Sequence, residues 1–401
     1  MGVRNESISR FLMLLVVFAS VISQNYVFRE TMPVELICDA IWVLAFVVIL
    51  LMGKGKFETS FFLNTYVLFI FLKFIIINVF KNAMLNSQYS LSVATFLPAP
   101  LLIYIVSHMY FRRQSKREAL GFILDVLQIS GVLLSITLWF GLQIDWHSWF
   151  TSYVYVMDNG KNAIGHVLAI LVLINIFYRK LNATKKLENL IWSIPIRVLA
   201  CFLYVSVILY LQCRTALLAI SIILVIAGMF LIKDYRIKLG LVSAIVIAAL
   251  AVIFNEDLNA LISHALFLDK YKDVNSFSSG RLGIYANAIV RLGEHLLLGS
   301  PNVEYVDNFY INTLLNSGVI IGGLQFVLLF VRVVFNLSYS KQCYGSSALT
   351  VTIYVITFYE LITSIVEALP PFGPGVSVMV FWMLSAYCDA SMNEERETVN
   401  E

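Results

Sequence analysis

Charge is what this 401-residue sequence has least of: Asp, Glu, Lys and Arg make up 13% of it, against 60% hydrophobic residues. A soluble domain carries roughly 25% charge, so a water-soluble fold is excluded and an integral membrane protein is expected. Cysteine is sparse and scattered over Cys38, Cys201, Cys213, Cys343 and Cys388, with no C-x-x-C pair. These read as small apolar residues, which excludes a disulfide framework and a zinc site built on cysteine. A Walker motif, a glycine-rich dinucleotide loop and an H-E-x-x-H pattern are all missing, which argues against ATP hydrolysis on this chain. No basic run is dense enough to suggest nucleic acid as a partner. The first apolar run lacks a small-residue cleavage site, so it is expected to stay as a first span.

Apolar runs are what the sequence has in their place. A bilayer-spanning helix needs roughly 20 mostly apolar residues. Such runs lie at approximately 8–27, 34–52, 60–80, 91–111, 119–142, 161–178, 190–211, 214–232, 237–254, 308–335, 345–368 and 372–388. The stretch 190–232 is too long for one span, so a break is expected at Gln212-Cys213-Arg214. The expected fold is all-α: one polytopic membrane domain over 1–401, with about twelve transmembrane helices.

Basic residues orient the chain. With the amino terminus in the cytoplasm, the clusters Arg112-Arg113-Lys116-Arg117, Arg179-Lys180-Lys185-Lys186 and Lys233-Arg236-Lys238 all fall on the inner side. The positive-inside rule predicts this arrangement. Both termini are then cytoplasmic, and the segment 255–307 is an extracytoplasmic loop of a multi-pass protein in the cytoplasmic membrane. That loop is the one long polar connection, and long connections among short ones tend to carry function.

Within it, 281–296 has helical spacing, and Ser278 and Ser279 can cap its start. At about 100° per residue, Tyr285, Ile289, Leu292 and Leu296 form one apolar stripe. Arg281, Arg291 and His295 share a neighbouring sector. The reading is a helix on the membrane surface, whose basic edge faces either lipid headgroups or a pyrophosphate.

Four further positions stand out. Arg214 opens a span, where the free N–H groups of the helix end and a guanidinium could together hold an anion; it could equally solvate lipid phosphates. Asp307-Asn308 opens the tenth span, where the carboxylate is either a cap or a general base. Glu360 and Glu367 lie towards the outer end of the eleventh span; the deeper Glu360 is the substrate-binding candidate, and Glu367 reads as interfacial. Lys73 is expected to pair with a carboxylate such as Asp39 or to line a cavity, and Arg197 and Arg332 to snorkel. Aromatic residues of 143–162 (Trp146, Trp149, Phe150, Tyr153, Tyr155) serve either as a membrane belt or as a sugar-stacking surface.

In order, these motifs resemble a known family. An Arg214-Thr215-Ala216-Leu217-Leu218 span start precedes a long outer loop with Ser279-Gly280-Arg281 opening a helix. Asp307-Asn308-Phe309-Tyr310 then leads into a span with Gly318, Gly322 and Gly323. The pattern, clearest over 205–330, is similar to the Wzy-type O-antigen and capsule polymerases, which belong with the O-antigen ligases. The resemblance implies a C-type glycosyltransferase-like membrane fold, and an inverting, metal-independent transferase without cofactor. Donor and acceptor would be undecaprenyl-pyrophosphate-linked oligosaccharides at the outer membrane face, with a flippase and chain-length regulators as partner proteins. Arg214 and Arg281 match the family's pyrophosphate-holding arginines, and Asp307 with Asn308 and Tyr310 completes the expected site. Ligases and many relatives carry His where this chain has Asp307, so the resemblance does not identify the base. Glu294-His295 stand where relatives commonly show Asn-Pro, so Arg291 and His295 are substrate-binding candidates on their helical phase alone. A ligase acting on a wall or lipid acceptor, a flippase, and a sensor or scaffold are the other classes.

Overall fold

Long runs of Leu, Ile, Val and Phe away from water can satisfy their own backbone only as helix or closed barrel. In this protein, seen in a computed structural model, they form helix. The structure describes residues 3–26, 28, 33–52, 61–75, 98–145, 160–178, 186–231, 235–266, 280–301, 304–344, 348–368, 370–373 and 375–400, and no strand occurs among them. In chain order the helices are α1 (Val3–Ile22), α2 (Val34–Met52), α3 (Phe61–Ile75), α4 (Pro98–Arg112), α5 (Lys116–Gly141), α6 (Lys161–Phe177), α7 (Lys186–Ile191) and α8 (Ile194–Tyr210). They continue with α9 (Arg214–Leu231), α10 (Tyr235–Phe254), α11 (Glu256–Leu266), α12 (Arg281–Glu294), α13 (Phe309–Tyr344), α14 (Ala348–Thr363) and α15 (Val376–Asn400).

The all-α reading holds, and each expected apolar run falls on a helix. Three stretches, Asn5–Ile22, Lys116–Gly141 and Phe309–Lys341, are long and apolar enough to cross a membrane. Seven further apolar helices among the described residues are shorter than that. The run 190–211 is not one element. It breaks after Ile191, and Pro195 sits in the first turn of α8, where a missing N–H leaves no helical bond unmade. The break expected at Gln212-Cys213-Arg214 is present, with Gln212 in the left-handed region at φ 52°. The loop 255–307 is not uniformly polar coil, because its first part is α11. Its Ser278 and Ser279 lie outside the described residues, as do the aromatic residues 146–155.

Helices apolar on every side belong inside a bundle, and α6 and α15 are those helices. Ile164–Asn175 of α6 are buried without interruption, and α15 is buried from Val376 to Ala390. Around Trp382 of α15 the rings interlock: Tyr66 stacks on it at 5.5 Å, and Tyr104 meets it edge-on at 6.2 Å. The outer face of the bundle is apolar too, with Phe140, Phe202, Phe254 and Phe330 exposed. Such a surface suits lipid and not water.

One expectation about charged residues inside spans fails, and a second fails in its first alternative. Arg332 does not snorkel. It is 1% exposed, pairs with Asp389 of α15 at 2.8 Å, and donates to Asn336 and to the Ser385 carbonyl. Its guanidinium also lies against the rings of Phe335 and Phe62, at 4.6 and 5.1 Å from their centroids. A buried guanidinium needs this many partners to offset its lost hydration. Lys73 is buried as well, and its Nζ donates to Gln325 of α13 at 3.3 Å; no bond to Asp39 forms. Arg197 donates through Nε to the Asn175 carbonyl at 2.7 Å, so it caps the end of α6.

Candidate functional site

Asparagine does the local work at the start of α13. Asn308, Asn312 and Asn316 recur every four residues and therefore share one helix face. The Asn308 side chain accepts from the Ile311 N–H at 2.9 Å, which caps the helix. Asn312 accepts from the Val306 N–H at 3.2 Å, and Asn316 accepts from the Glu304 N–H at 3.0 Å while donating to the Glu304 carbonyl at 2.7 Å. This ladder fixes the segment 304–308, and with it Asp307. Asn308 also donates to the Ile365 carbonyl at 2.8 Å, which ties the same corner to the end of α14.

The helix α12 lies against this corner. Gly280 precedes it with φ 78°, and no side chain caps it. Its buried face centres on Ala288, with Tyr285 and Leu292 packed against Val306, Leu315 and Ile311. The expected stripe is thus half right: Tyr285 and Leu292 face inward, whereas Ile289 is 57% exposed. The buried sector is one residue out of phase, centred on Ala288, which clusters with Val306 and Leu315.

At the first turn of α12 the polar groups converge. Arg281 Nη2 lies 3.0 Å from Asp307 Oδ2, and its Nη1 donates to the Val366 carbonyl at 2.8 Å. The Tyr285 hydroxyl donates to the Asp307 carbonyl. Burial raises the Tyr285 and Tyr305 phenols above the ordinary tyrosine value; the carboxylates of Asp307 and Glu367 push the same way, and Arg281 opposes. Asp307 and Glu367 therefore act on one neighbourhood.

Glu367 joins this neighbourhood to α6 and α9. Its Oε1 accepts from the Asn162 amide at 3.0 Å and lies 3.5 Å from His166 Nε2. The other ring nitrogen of His166 meets the Tyr359 hydroxyl at 2.6 Å. Thr215 Oγ1 lies 3.4 Å from His166 Nε2. Arg214, half-buried at the head of α9, is the residue before Thr215. Arg281 reaches the carbonyl of the residue before Glu367, and Thr215, the residue after Arg214, reaches the imidazole beside Glu367.

The sequence-predicted residues thus divide. Arg281, Asp307 and Asn308 come together, and Arg214 heads the helix that borders them. Arg291 pairs instead with Glu304, and His295 ends α12 in an exposed position. Tyr310 turns into the bundle, where its ring packs on Phe309 and Phe326 and its hydroxyl lies 3.5 Å from the Leu361 carbonyl. Glu360 is fully buried in α14, two turns before Glu367, and none of its described contacts is to Arg281 or Asp307. The members that sequence reasoning missed are Asn162, His166, Thr215 and Tyr359, and it took Glu367 for an interfacial residue. One signal was present: Asn162 and His166 stand at i and i+4 on α6 and share a face in a mostly apolar helix. Among known proteins, neither a protein-family model nor a curated sequence matches this chain.

Proposed function

We propose that this protein is a membrane glycosyltransferase that joins undecaprenyl-pyrophosphate-linked oligosaccharide repeat units into a surface polysaccharide. In this reading the chain crosses the cytoplasmic membrane twelve times, both termini are cytoplasmic, and the Arg281–Asp307 site faces outward. A hydroxyl of one lipid-linked unit attacks the anomeric carbon of another. Arg214 and Arg281 hold the departing pyrophosphate, whose negative charge grows as the bond breaks; donors fixed in advance at that charge lower the barrier. A guanidinium suits the task because its fork binds phosphate oxygens in pairs and stays charged. Asp307, held by its ion pair, orients the incoming hydroxyl.

The observation that carries this reading is an apolar cavity further along α9, the helix that Arg214 opens, walled also by α13 and α14. It holds about 360 Å3 between Ile223 and Ala227 of α9, Leu337 of α13, and Val351, Val355 and Phe358 of α14. Tyr354 shares the wall, but its hydroxyl is turned to the Leu337 carbonyl at 2.7 Å, so its ring alone is presented. At 1.5 Å per residue, Ile223 and Ala227 lie roughly 14 and 20 Å along α9 from Arg214. An arginine at the head of α9 and an apolar cavity further along the same helix suit a phosphate carried on a hydrocarbon chain. The volume is in the range of small-ligand pockets, roughly 300–1,000 Å3.

The test is the purified protein in lipid nanodiscs with the lipid-linked oligosaccharide that accumulates in cells lacking it, without nucleotide. A ladder of lengthening products supports the polymerase. Transfer of one unit to a different acceptor would make it a ligase. Movement of the lipid between leaflets with no new bond would make it a flippase and sink the proposal.

A further inference from the structure

We infer that Glu367 is the group that takes the proton of the attacking hydroxyl, with Asn162 and His166 as its positioning residues. This rests on the glycosyl-transfer reading of the site. Asp307 is ill placed for the task. Its carboxylate faces the Arg281 guanidinium at 3.0 Å. Accepting a proton there would remove the charge that holds Arg281, at the step when Arg281 must hold the leaving pyrophosphate. Glu367 has no such conflict, because its neighbours are an amide and an imidazole.

The surroundings of Glu367 aim it. Its two described polar contacts, from Asn162 at 3.0 Å and His166 at 3.5 Å, both fall on Oε1. Oε2 is thereby left for a ligand. The His166 ring is held from its far side by the Tyr359 hydroxyl at 2.6 Å, and Tyr359 is fully buried. When that phenol donates to Nδ1, the proton of the neutral ring sits on Nε2 and points at Glu367 and Thr215. A carboxylate oriented by one donor, itself oriented by a third group, is the usual build of a catalytic base. The side chain of Glu367 is 15% exposed, so water can carry the proton away afterwards.

The step balances. The acceptor O–H bond breaks and its proton goes to Glu367 Oε2. The oxygen's electron pair forms the new bond to the anomeric carbon. The bond from that carbon to the pyrophosphate oxygen breaks, and its pair leaves with the lipid pyrophosphate between Arg214 and Arg281. Glu367 returns its proton to solvent, and no oxidant or reductant is needed.

Azide tests this directly, because it attacks an anomeric carbon without giving up a proton. In nanodiscs with the accumulated lipid-linked oligosaccharide, Glu367→Ala should lower polymer formation roughly 100-fold or more, the usual range for loss of a positioned base. Sodium azide should then restore cleavage of the donor, yielding glycosyl azide and free lipid pyrophosphate. The same salt should restore nothing in Arg281→Ala, which lacks a holder of the leaving group. A wild-type protein that makes no ladder defeats the proposed function and, with it, this inference. With a wild-type ladder in hand, Glu367→Ala within tenfold of normal overturns the inference alone. So does a stably folded Glu367→Ala that is inactive and unmoved by azide, since the loss is then structural. If the alanine variant does not fold, Glu367→Gln replaces it; that side chain keeps an acceptor for Asn162, and the same two readings decide.

Discussion

Arg281 divides its fork between two partners, the Asp307 carboxylate at 3.0 Å and the Val366 carbonyl at 2.8 Å. Lysine offers one ammonium on a flexible stem and cannot reproduce that planar pairing. Arg281→Lys should therefore cut polymer formation at least tenfold, read as the product ladder in nanodiscs. Stability should hardly move, because a partly exposed ion pair contributes only about 0–1 kcal/mol. A Lys variant with near-normal product length would remove Arg281 from the site. What was legible of this region differed from residue to residue. Arg281 and Asp307 stood out because charge is rare in this chain and both sit at helix starts. His166 escaped notice because it lies in an apolar run, and Glu367 was read as interfacial because it stands at the edge of another. Their meeting joins α6 to the end of α14 across 201 residues of chain, and no local pattern encodes that distance. Glu360 drew notice for the opposite reason. A carboxylate deep in a span attracts a functional reading, and this one is fully buried in the bundle with no hydrogen-bond partner on either oxygen among the described residues.

At the scale of elements, the join between α12 and α13 decides where Arg281 stands. Gly318 interrupts α13 with φ 65° and ψ −178°, a region open essentially to glycine alone. The turn after α12 inserts at this break: the Val319 N–H donates to the Leu296 carbonyl at 2.8 Å, and the Ser300 N–H to the Leu315 carbonyl at 2.6 Å. A Cβ on Gly318 would lie 2.1 Å from the Leu297 carbonyl oxygen, which is backbone and cannot step aside. Gly318→Ala should cost at least about 2 kcal/mol from dihedral strain and overlap together. A clear drop in the thermal unfolding midpoint, with loss of the ladder, is the expected result. Gly165 poses a milder version. A Cβ there would sit 2.3 Å from Cys213 Sγ, which is side chain and can shift. Gly165→Ala should cost about 1–3 kcal/mol, and pushing Cys213 would displace Arg214 and Thr215 next to it. Its activity should fall further than its melting temperature suggests, and the double change Gly165→Ala, Cys213→Ala should recover only part of both, because the Cys213 Cβ still lies 2.7 Å away. The helices themselves were readable from apolar length, but the break at Gly318 was not. Gly318 follows Asn316-Ser317 within a stretch read as one span, and the turn pressed against it explains why glycine is required.

Across the described residues, two of the polar centres lie on α13, one near each end. One is the Arg281 site at the start of that helix. The other is the Arg332–Asp389 pair, roughly 21 Å along the helix from Gly318 at 1.5 Å per residue. The two differ in kind. The first is half-open and built from residues on α6, α12, α13 and α14 with free faces. The second is sealed: Arg332 is 1% exposed, and its guanidinium nitrogens bond Asp389, Asn336 and the Ser385 carbonyl. A sealed pair of this kind is read as a clamp between α13 and α15, with the Tyr104 hydroxyl of α4 donating to the same Asp389 carboxylate. The expected signature follows from the cost of a lone buried charge. Arg332→Leu strands Asp389 and should destabilise the protein by about 3–5 kcal/mol, whereas removing both charges can be nearly neutral. The double variant Arg332→Leu, Asp389→Leu should therefore melt near the wild-type temperature in detergent and keep its product ladder. A double variant that folds but makes no polymer would show that this inner pair takes part in the reaction, and that the outer site does not suffice.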